Sequence, residues 1–392
     1  MDDEEGNRDQ IQNITNEEWE LIGRDFSNNE HLWQLRLSNG AFDDDKLSCF
    51  FRGFTGSNSL RHFMLTDNEF GVAGLRSMVP FLQSSNLKSL TLIRSNIKSE
   101  GFDMLVRALR DNPIGDISCN YCGIESIDID PQNFPKQLES LGLSGNNMKR
   151  SGYRALAHFL QGDSTLKELR LHCCNIDDDD VAFFVDALQQ NTSLETLSMI
   201  LNNDISTKGL AMCLKLVNDI SSVSATFQSN HTLKELFVHH VNYDDLSVAD
   251  KKIQLEINSA TSINWRMFRK PEAAGAEKLI KTQLNSVKRS VLAGIQGCNK
   301  PLNYSDIDPL HLPEVLALIG RRHGQRELYM AFISSVAGVI SIVNKRRFLK
   351  EKLAHHLSKV GDIRAKLAEL DEAEGIAMNV SDENCSNKRR RN

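Results

Sequence analysis

The sequence predicts an α/β solenoid whose stacked repeats share one parallel sheet on the concave side, with helices on the convex side, followed by an all-α C-terminal region. Three observations predict this fold class. One spacing of apolar residues occurs eight times. A helical pattern follows most of its occurrences. The spacing stops, and the charge changes sign, near residue 250.

The clearest strand segment is Leu166–Ile176, LKELRLHCCNI, which is apolar at offsets 0, 3, 5 and 10 from its first residue and has Cys174 at offset 8. The same spacing begins at intervals of 24 to 39 residues at Leu32, Leu60, Leu87, Ile114, Leu138, Leu166, Leu194 and Leu233. Offset 8 is Asn or Cys in several repeats. Because strand side chains alternate between two faces, offsets 0, 3 and 5 are predicted to be buried.

Helices are predicted between the strands from apolar residues spaced three and four apart, as at Leu75, Met78 and Leu82. The fourth repeat is an exception, because Pro131 and Pro135 stand where its helix would be. Residues 1–29 are predicted to be a disordered start and a capping helix. Thr15 and Glu18 have the spacing of a capping box at its beginning.

One strand and one helix in about 28 residues resemble the ribonuclease-inhibitor-like class of leucine-rich repeat proteins. The resemblance covers about residues 30–245, and it implies a horseshoe. The class contains inhibitors, GTPase activators, immune sensors and scaffolds. Asp250–Asn258, DKKIQLEIN, is similar to the segment that ends the repeats in uncharacterised diatom and other stramenopile members of the class.

Residues 246–372 are predicted to be helical, with helices near 273–296, 313–343 and 346–371, and residues 373–392 to be a disordered tail. The last helix carries a heptad-like apolar seam over 349–370. The seam either packs on neighbouring C-terminal helices or forms a weak coiled coil between chains. Residues 251–370 hold 21 Lys+Arg against 10 Asp+Glu, whereas residues 1–250 hold 21 against 37. The basic region is therefore expected to bind an acidic surface or to fold back on the repeats.

Neither a metal nor a cofactor is expected. Cys119 and Cys122 are two repeats from the His172-Cys173-Cys174 group, a separation of ~9.5 Å at the usual strand spacing, which is too far for one zinc ion. Cys119, Cys122 and Cys174 also have offsets that face the core. The acidic runs Asp43–Asp45 and Asp177–Asp180 precede helices, where carboxylates cap the positive dipole end. No phosphate-binding loop, His-Glu-x-x-His or Gly-x-Ser-x-Gly occurs, so no enzyme is predicted.

The residues at offsets 2, 4 and 6 are predicted to point into the concave face, with offset 7 at its edge. Arginine, tyrosine, methionine and phenylalanine are enriched at interface anchors, and the histidines stand at offset 6. The candidate protein-binding residues are Arg36, Met64, Arg94, Tyr121, Arg170, His172, Phe237 and His239.

The predicted function is a non-enzymatic module that binds a protein partner on this concave face. The alternative is a GTPase activator resembling those that act on Ran, although these end in an acidic tail and this chain ends in Lys388–Arg391, KRRR. That basic cluster would permit a nuclear location, and a cytoplasmic one is expected otherwise, because no signal peptide is visible. Neither a membrane nor a nucleic acid is expected as partner. The longest apolar run, Met330–Val343, is too short to span a bilayer.

Overall fold

A computed structural model describes residues 14–38, 42–128, 130–162, 164–238, 246–269, 271–283 and 286–298. These residues lie within one compact unit, Met1–Leu302. Several predictions lie outside the described residues: the disordered start, the helices near 313–343 and 346–371, the seam over 349–370, and the tail with Lys388, Arg389, Arg390 and Arg391.

One parallel sheet of eight strands runs through the repeats in sequence order. The strands β1 to β8 are Gln34–Ser38, His62–Thr66, Ser89–Ile93, Asp116–Asn120, Ser140–Gly142, Glu168–Arg170, Thr196–Ser198 and Glu235–Phe237. Every neighbouring pair aligns the residues at repeat offset 3, as Leu141 with Leu169 and Leu197 with Leu236. The repeat frame predicted from the sequence is therefore the hydrogen-bonding register of the sheet, and the predicted fold class is confirmed.

The helices pack on one face of this sheet. Helices α1 to α11 are Asn16–Ser27, Asp44–Gly53, Val72–Ser84, Lys98–Ala108, Arg150–Gln161, Asp178–Leu188, Thr207–Val217, Val223–Gln228, Val248–Met267, Pro271–Lys278 and Ser286–Gln296. After β4 a 3₁₀ turn, Pro131–Asn133, replaces the helix, as the prolines predict. The long seventh step holds the short helix α8. No helix in the described part of the chain is long and apolar enough to cross a membrane.

The first layer of the core is covered by α1, which begins at a capping box formed by Thr15 and Glu18. Its buried Trp19 lies 4.4 Å from Phe42, measured between ring centroids. The helix can approach α2 closely because Gly23 has no side chain: a Cβ there would lie 2.2 Å from the carbonyl oxygen of Phe50. The predicted capping helix is thus present and buries the end of the stack.

Asparagines at offset 8 connect successive repeats inside the core. The side chain of Asn146 donates to the carbonyl oxygens of Cys119 (2.7 Å) and Leu143 (2.8 Å). Its Oδ1 accepts from the backbone of Cys122 (2.9 Å) and Ile124 (3.1 Å). Asn202 repeats this pattern two repeats later. These buried amides satisfy backbone groups that the short strands leave without ladder partners.

The acidic runs cap helices, as predicted. Asp43 accepts from the backbone of Lys46, and Asp177 forms a capping box with Asp180. Two neighbouring carboxylates also reach the next repeat. At the start of α3, Asp44 Oδ1 accepts from the backbone N–H groups of Gly71 (2.8 Å) and Gly74 (2.7 Å). At the start of α7, Asp178 Oδ1 accepts from those of Ser206 and Gly209. One acidic run therefore stabilises two helix starts.

The far end of the sheet is covered by α9, whose Asn264 donates to the carbonyl oxygens of Leu233 (2.7 Å) and Asn230 (3.2 Å). This helix lies within residues 246–372, which were predicted to be helical, although no individual helix was delimited before residue 273, and Asp250–Asn258 forms its first half. The predicted helix near 273–296 is divided into α10 and α11 by a π-helical turn, Leu279–Gln283, and two residues outside the described ranges.

Candidate protein-binding surface

The face of the sheet opposite the helices, which we call the open face, consists of the side chains at offsets 2, 4 and 6. On β2 and β3 these side chains are half-buried while offsets 3 and 5 are fully buried. In the middle of the sheet the offset-4 residues Ser118, Gly142 and Ser198 are buried although they belong to the open face. These three residues are small, and they are less accessible than Arg170, the larger offset-4 residue on β6.

Arg36 and Phe237 stand at opposite ends of the open face. Arg36 is exposed on β1 and pairs in register with the half-buried Met64 on β2. The side chain of Phe237 on β8 is 41% exposed. Seven strand intervals separate the two ends, or about 34 Å at the usual spacing. His239 lies outside the described residues.

The offset-7 residues form a row along one edge of the open face, and all six that the structure describes have left-handed backbone. They are Asp67, Arg94, Tyr121, Gly145, Cys173 and Leu201, with φ between 52° and 72°. Their backbone N–H groups continue the parallel ladder, for example from Arg94 to Asn120 O (3.0 Å) and from Tyr121 to Ser144 O (2.8 Å). The shared backbone conformation aims these side chains along one line.

Side chains within this edge row contact one another. Arg94 Nη1 lies 3.0 Å from Asp67 Oδ1, and Arg94 Cζ lies 5.6 Å from the centroid of the Tyr121 ring. The Tyr121 ring covers Gly145, where a Cβ would lie 2.2 Å from its Cδ1. The Cys173 side chain, as a hydrogen-bond partner and a neighbouring acidic group, raises the pKa of Tyr121. The predicted residues Arg94 and Tyr121 are therefore brought together.

Arg170 and His172 are held by polar neighbours from their own and the adjacent repeats. Arg170 Nε lies 2.8 Å from Glu168 Oε1, and its Nη2 donates to Ser140 Oγ (2.8 Å). His172 Nε2 lies 2.7 Å from Ser198 Oγ. Burial and the charge of Arg170 lower the pKa of His172, so the imidazole is neutral at pH 7. Both side chains are half-buried, and they present only part of their surface to solvent.

Several open-face residues were missed by the sequence analysis. Asp67, at the edge, and Asp116 and Glu168, on the face, have offsets 7, 2 and 2, but acidic residues are depleted at interfaces and residue type therefore does not single them out. Burial raises the pKa of Asp116, and Arg170 opposes this shift. Trp33, which is outside the open face because it has offset 1, is 61% exposed and lies edge-on to His62 at 5.5 Å. No repeat signal marks Trp33, because offset 1 varies freely.

The cysteines predicted to face the core do so: Cys119, Cys122 and Cys174 are buried. Burial raises the pKa of Cys122 to about 11 and that of Cys174 to about 11, so both are thiols at neutral pH. Within the described ranges, no three His, Cys, Asp or Glu side chains converge where they could hold a metal ion.

Comparisons with known proteins give a distant relative. No protein-family model matches the chain. The mouse protein "NACHT, LRR and PYD domains-containing protein 5" is 27% identical over 201 residues, which is 47% of this chain and 16% of that protein. The chain therefore spans a small part of this relative. The tropomodulin C-terminal domain of Caenorhabditis elegans covers 65% of this chain and 95% of its own, at 8% identity and a TM-score of 0.22, too distant a likeness to add to the fold. By the register of its strands and the spacing of its repeats, the described part of the chain from β1 to β8 has the fold of a leucine-rich-repeat solenoid.

Proposed function

We propose that the protein is a non-enzymatic interaction module that binds a protein partner on the open face. One observation carries the proposal: eight strands in a single register place the side chains of every repeat on one continuous surface. Solenoids commonly bind partners on the surface that their sheet forms.

The size of the open face supports this function. Eight strands at the usual spacing, each contributing offsets 2 to 7, give a surface on the order of 600 Å². A standard protein interface buries about 800 Å² on each partner. A partner that covers the face and part of its rim would therefore form an interface of ordinary size.

The side chains that remain accessible are those suited to anchor a partner. Arg36 is exposed and has no ion pair among the described residues. Phe237 supplies an apolar contact at the other end, and the Arg94–Tyr121 pair supplies a planar cation and ring at the edge. Because arginine and aromatic residues dominate binding energy at interfaces, a partner with carboxylates and apolar side chains fits this face.

Affinity capture with mass spectrometry tests the proposal. The full chain is compared with a variant in which Arg36, Arg170 and Phe237 are replaced by alanine. Specific partners of the wild-type chain are expected to be lost from this open-face variant. Recovery of every specific partner at wild-type level would overturn the assignment of the open face.

A matched variant on the helix side controls for loss of charge and apolar surface. Leu21, Arg52 and Arg76 are replaced by alanine together; Leu21 is 53% exposed, and the two arginine side chains are each 65% exposed. Because these residues lie on the helices, this variant should retain the partners. Equal unfolding midpoints for both variants would show that neither change acts through the fold. Among the described residues, no feature favours the alternative of a GTPase activator acting on Ran.

A further inference from the structure

A groove on the helix side carries a second inference, independent of the open face. It lies between α7, α9 and α11 and has a volume of about 920 Å³, near the top of the range for ligand-binding pockets. Its apolar surface comes from residues on all three helices: Ala211, Met212, Val248, Ile253, Val291 and Ile295. Val248 is 84% exposed, which is unusual for an aliphatic side chain next to others of its kind.

The groove is rimmed by positive charge. Lys208, Lys215 and Lys252 line it, and none of its lining residues is an Asp or Glu. Lys215 has one distant carboxylate, Asp219 at 3.9 Å, whereas Lys208 and Lys252 have no ion pair in the part of the chain that the structure describes. Two of these lysines, Lys208 and Lys215, belong to residues 1–250, which are otherwise strongly acidic.

Gly294 on α11 leaves part of the groove empty. It is exposed, and a Cβ built on it would meet no atom within 4 Å. A glycine inside a helix lowers its stability by about 1 kcal/mol relative to alanine. The space that it leaves open lies beside the apolar residues Val291 and Ile295, where an incoming side chain could enter.

We propose that this groove binds an amphipathic helix of a partner protein, with an apolar stripe flanked by Asp and Glu. The apolar side chains at positions i, i+3 or i+4, and i+7 of such a helix would fill the groove. Its carboxylates would pair with Lys208 and Lys252. Residues 299–370 of this chain, which hold 12 Lys+Arg against 7 Asp+Glu, have the same sign of charge as the rim and do not fit it.

A displayed library of randomised helical peptides tests the groove. Peptides are selected on the immobilised full chain and counter-selected on the Gly294→Leu variant, in which the added side chain fills the groove. The selected peptides should carry an apolar stripe with flanking Asp and Glu. Failure to enrich any peptide, or enrichment of peptides with Lys and Arg beside the stripe, would overturn the proposal.

Anisotropy of a selected, labelled peptide gives the quantitative result. Gly294→Leu should weaken its binding at least about tenfold, whereas the matched Gly294→Ala, which adds one methyl group, should bind as the wild type does. Charge reversal at Lys208 and Lys252 should also weaken it, while Lys136→Glu, far from the groove, should not. Equal binding by all four variants would overturn the proposal. Binding of phosphatidylserine vesicles, lost in Gly294→Leu without any peptide enrichment, would assign the groove to lipid instead.

Discussion

The ring of Tyr121 lies against the α-carbon of Gly145, so closely that a Cβ on Gly145 would be 2.2 Å from Tyr121 Cδ1 and 2.3 Å from Cε1. The two residues have the same offset in neighbouring repeats, and both have left-handed backbone. Because Gly145 has no side chain, the Tyr121 ring can extend across it along the edge of the open face. The ring thereby reaches Cys173, which belongs to the repeat after that of Gly145.

Replacing Gly145 by alanine should lower the free energy of unfolding by about 1–3 kcal/mol, because the residue has φ +72° and the methyl group would meet the ring. In a Tyr121→Ala background the clash is gone and only the backbone cost remains. Urea unfolding of the two single variants and the double variant measures this coupling. Identical costs of Gly145→Ala in both backgrounds would contradict the packing described for the edge row.

Asp177 is expected to stabilise α6. It caps the helix, accepting from the backbone of Asp180, and also pairs with Arg150 at 2.6 Å. Asp177→Ala should cost about 0.5–2 kcal/mol, the usual range for loss of an N-cap. Asp179, 3.4 Å from the same arginine but 62% exposed and without a capping bond, is the matched control and should cost clearly less. Chemical denaturation of both variants decides the comparison.

Asn146 should be among the polar residues most costly to remove, because its amide joins two repeats through four buried hydrogen bonds. Asn146→Ala leaves buried backbone groups without hydrogen-bond partners. Each such group that water cannot reach lowers the free energy of unfolding by about 1–3 kcal/mol. A loss of at least about 2 kcal/mol in denaturant unfolding is expected. Asn147, the exposed next residue, is the control. A loss no larger than that of Asn147→Ala would show that these bonds do not hold the repeats together.

The side-chain amine of Lys278 is buried, and none of its described hydrogen-bond partners is a carboxylate. Its Nζ contacts the carbonyl oxygen of Val217 (2.5 Å), that of Asn230 (3.3 Å) and His231 Nδ1 (3.0 Å). Burial lowers the pKa of Lys278 to about 7 from the ordinary value of 10.5. Between these values the unfolded chain binds more protons, so this residue makes the wild-type protein less stable as the pH falls from 10.5 to 7.

Lys278→Met should therefore raise stability at pH 7 by about 1–3 kcal/mol, since the lost hydrogen bonds offset part of the relieved burial of charge. Thermal unfolding from pH 7 to pH 10 should show a smaller dependence on pH in this variant. Lys215→Met, at an exposed lysine, serves as control. If Lys278→Met destabilises the protein at pH 7, then the ammonium group contributes more through its hydrogen bonds than its burial costs.

The repeat frame could be predicted from the sequence because a strand's register follows its apolar spacing: Leu166 and Leu194, 28 residues apart, begin repeats whose strands pair offset for offset. The contacts between open-face side chains could not be predicted from the sequence. Arg170 contacts Glu168 on its own strand and Ser140 in the neighbouring repeat, and both contacts depend on side-chain rotamers, which a pattern of offsets does not contain. The helix α9 lies in the region predicted to be helical, but its bounds were not predicted, because polar residues such as Gln254 and Asn264 share its buried face.

Two interpretations from the sequence stay predictions. The boundaries between capping helix, repeats, helical region and tail are one, and the similarity of Asp250–Asn258 to diatom and stramenopile proteins is the other. The boundary between the helical region and the tail depends on how residues 299–392 pack. That packing depends on long-range contacts, which a local pattern of apolar residues does not specify.

The most direct test of the proposed function is the affinity of a captured partner for three forms of the full chain. They are the wild type, the open-face variant at Arg36, Arg170 and Phe237, and the helix-side variant at Leu21, Arg52 and Arg76. If each open-face anchor contributes about 1 kcal/mol, the open-face variant should bind roughly a hundredfold more weakly by isothermal titration calorimetry. The helix-side variant should bind within a few-fold of the wild type. Equal affinity of the open-face variant and the wild type, with the helix-side variant weakened, would place the binding surface on the helices and contradict the account.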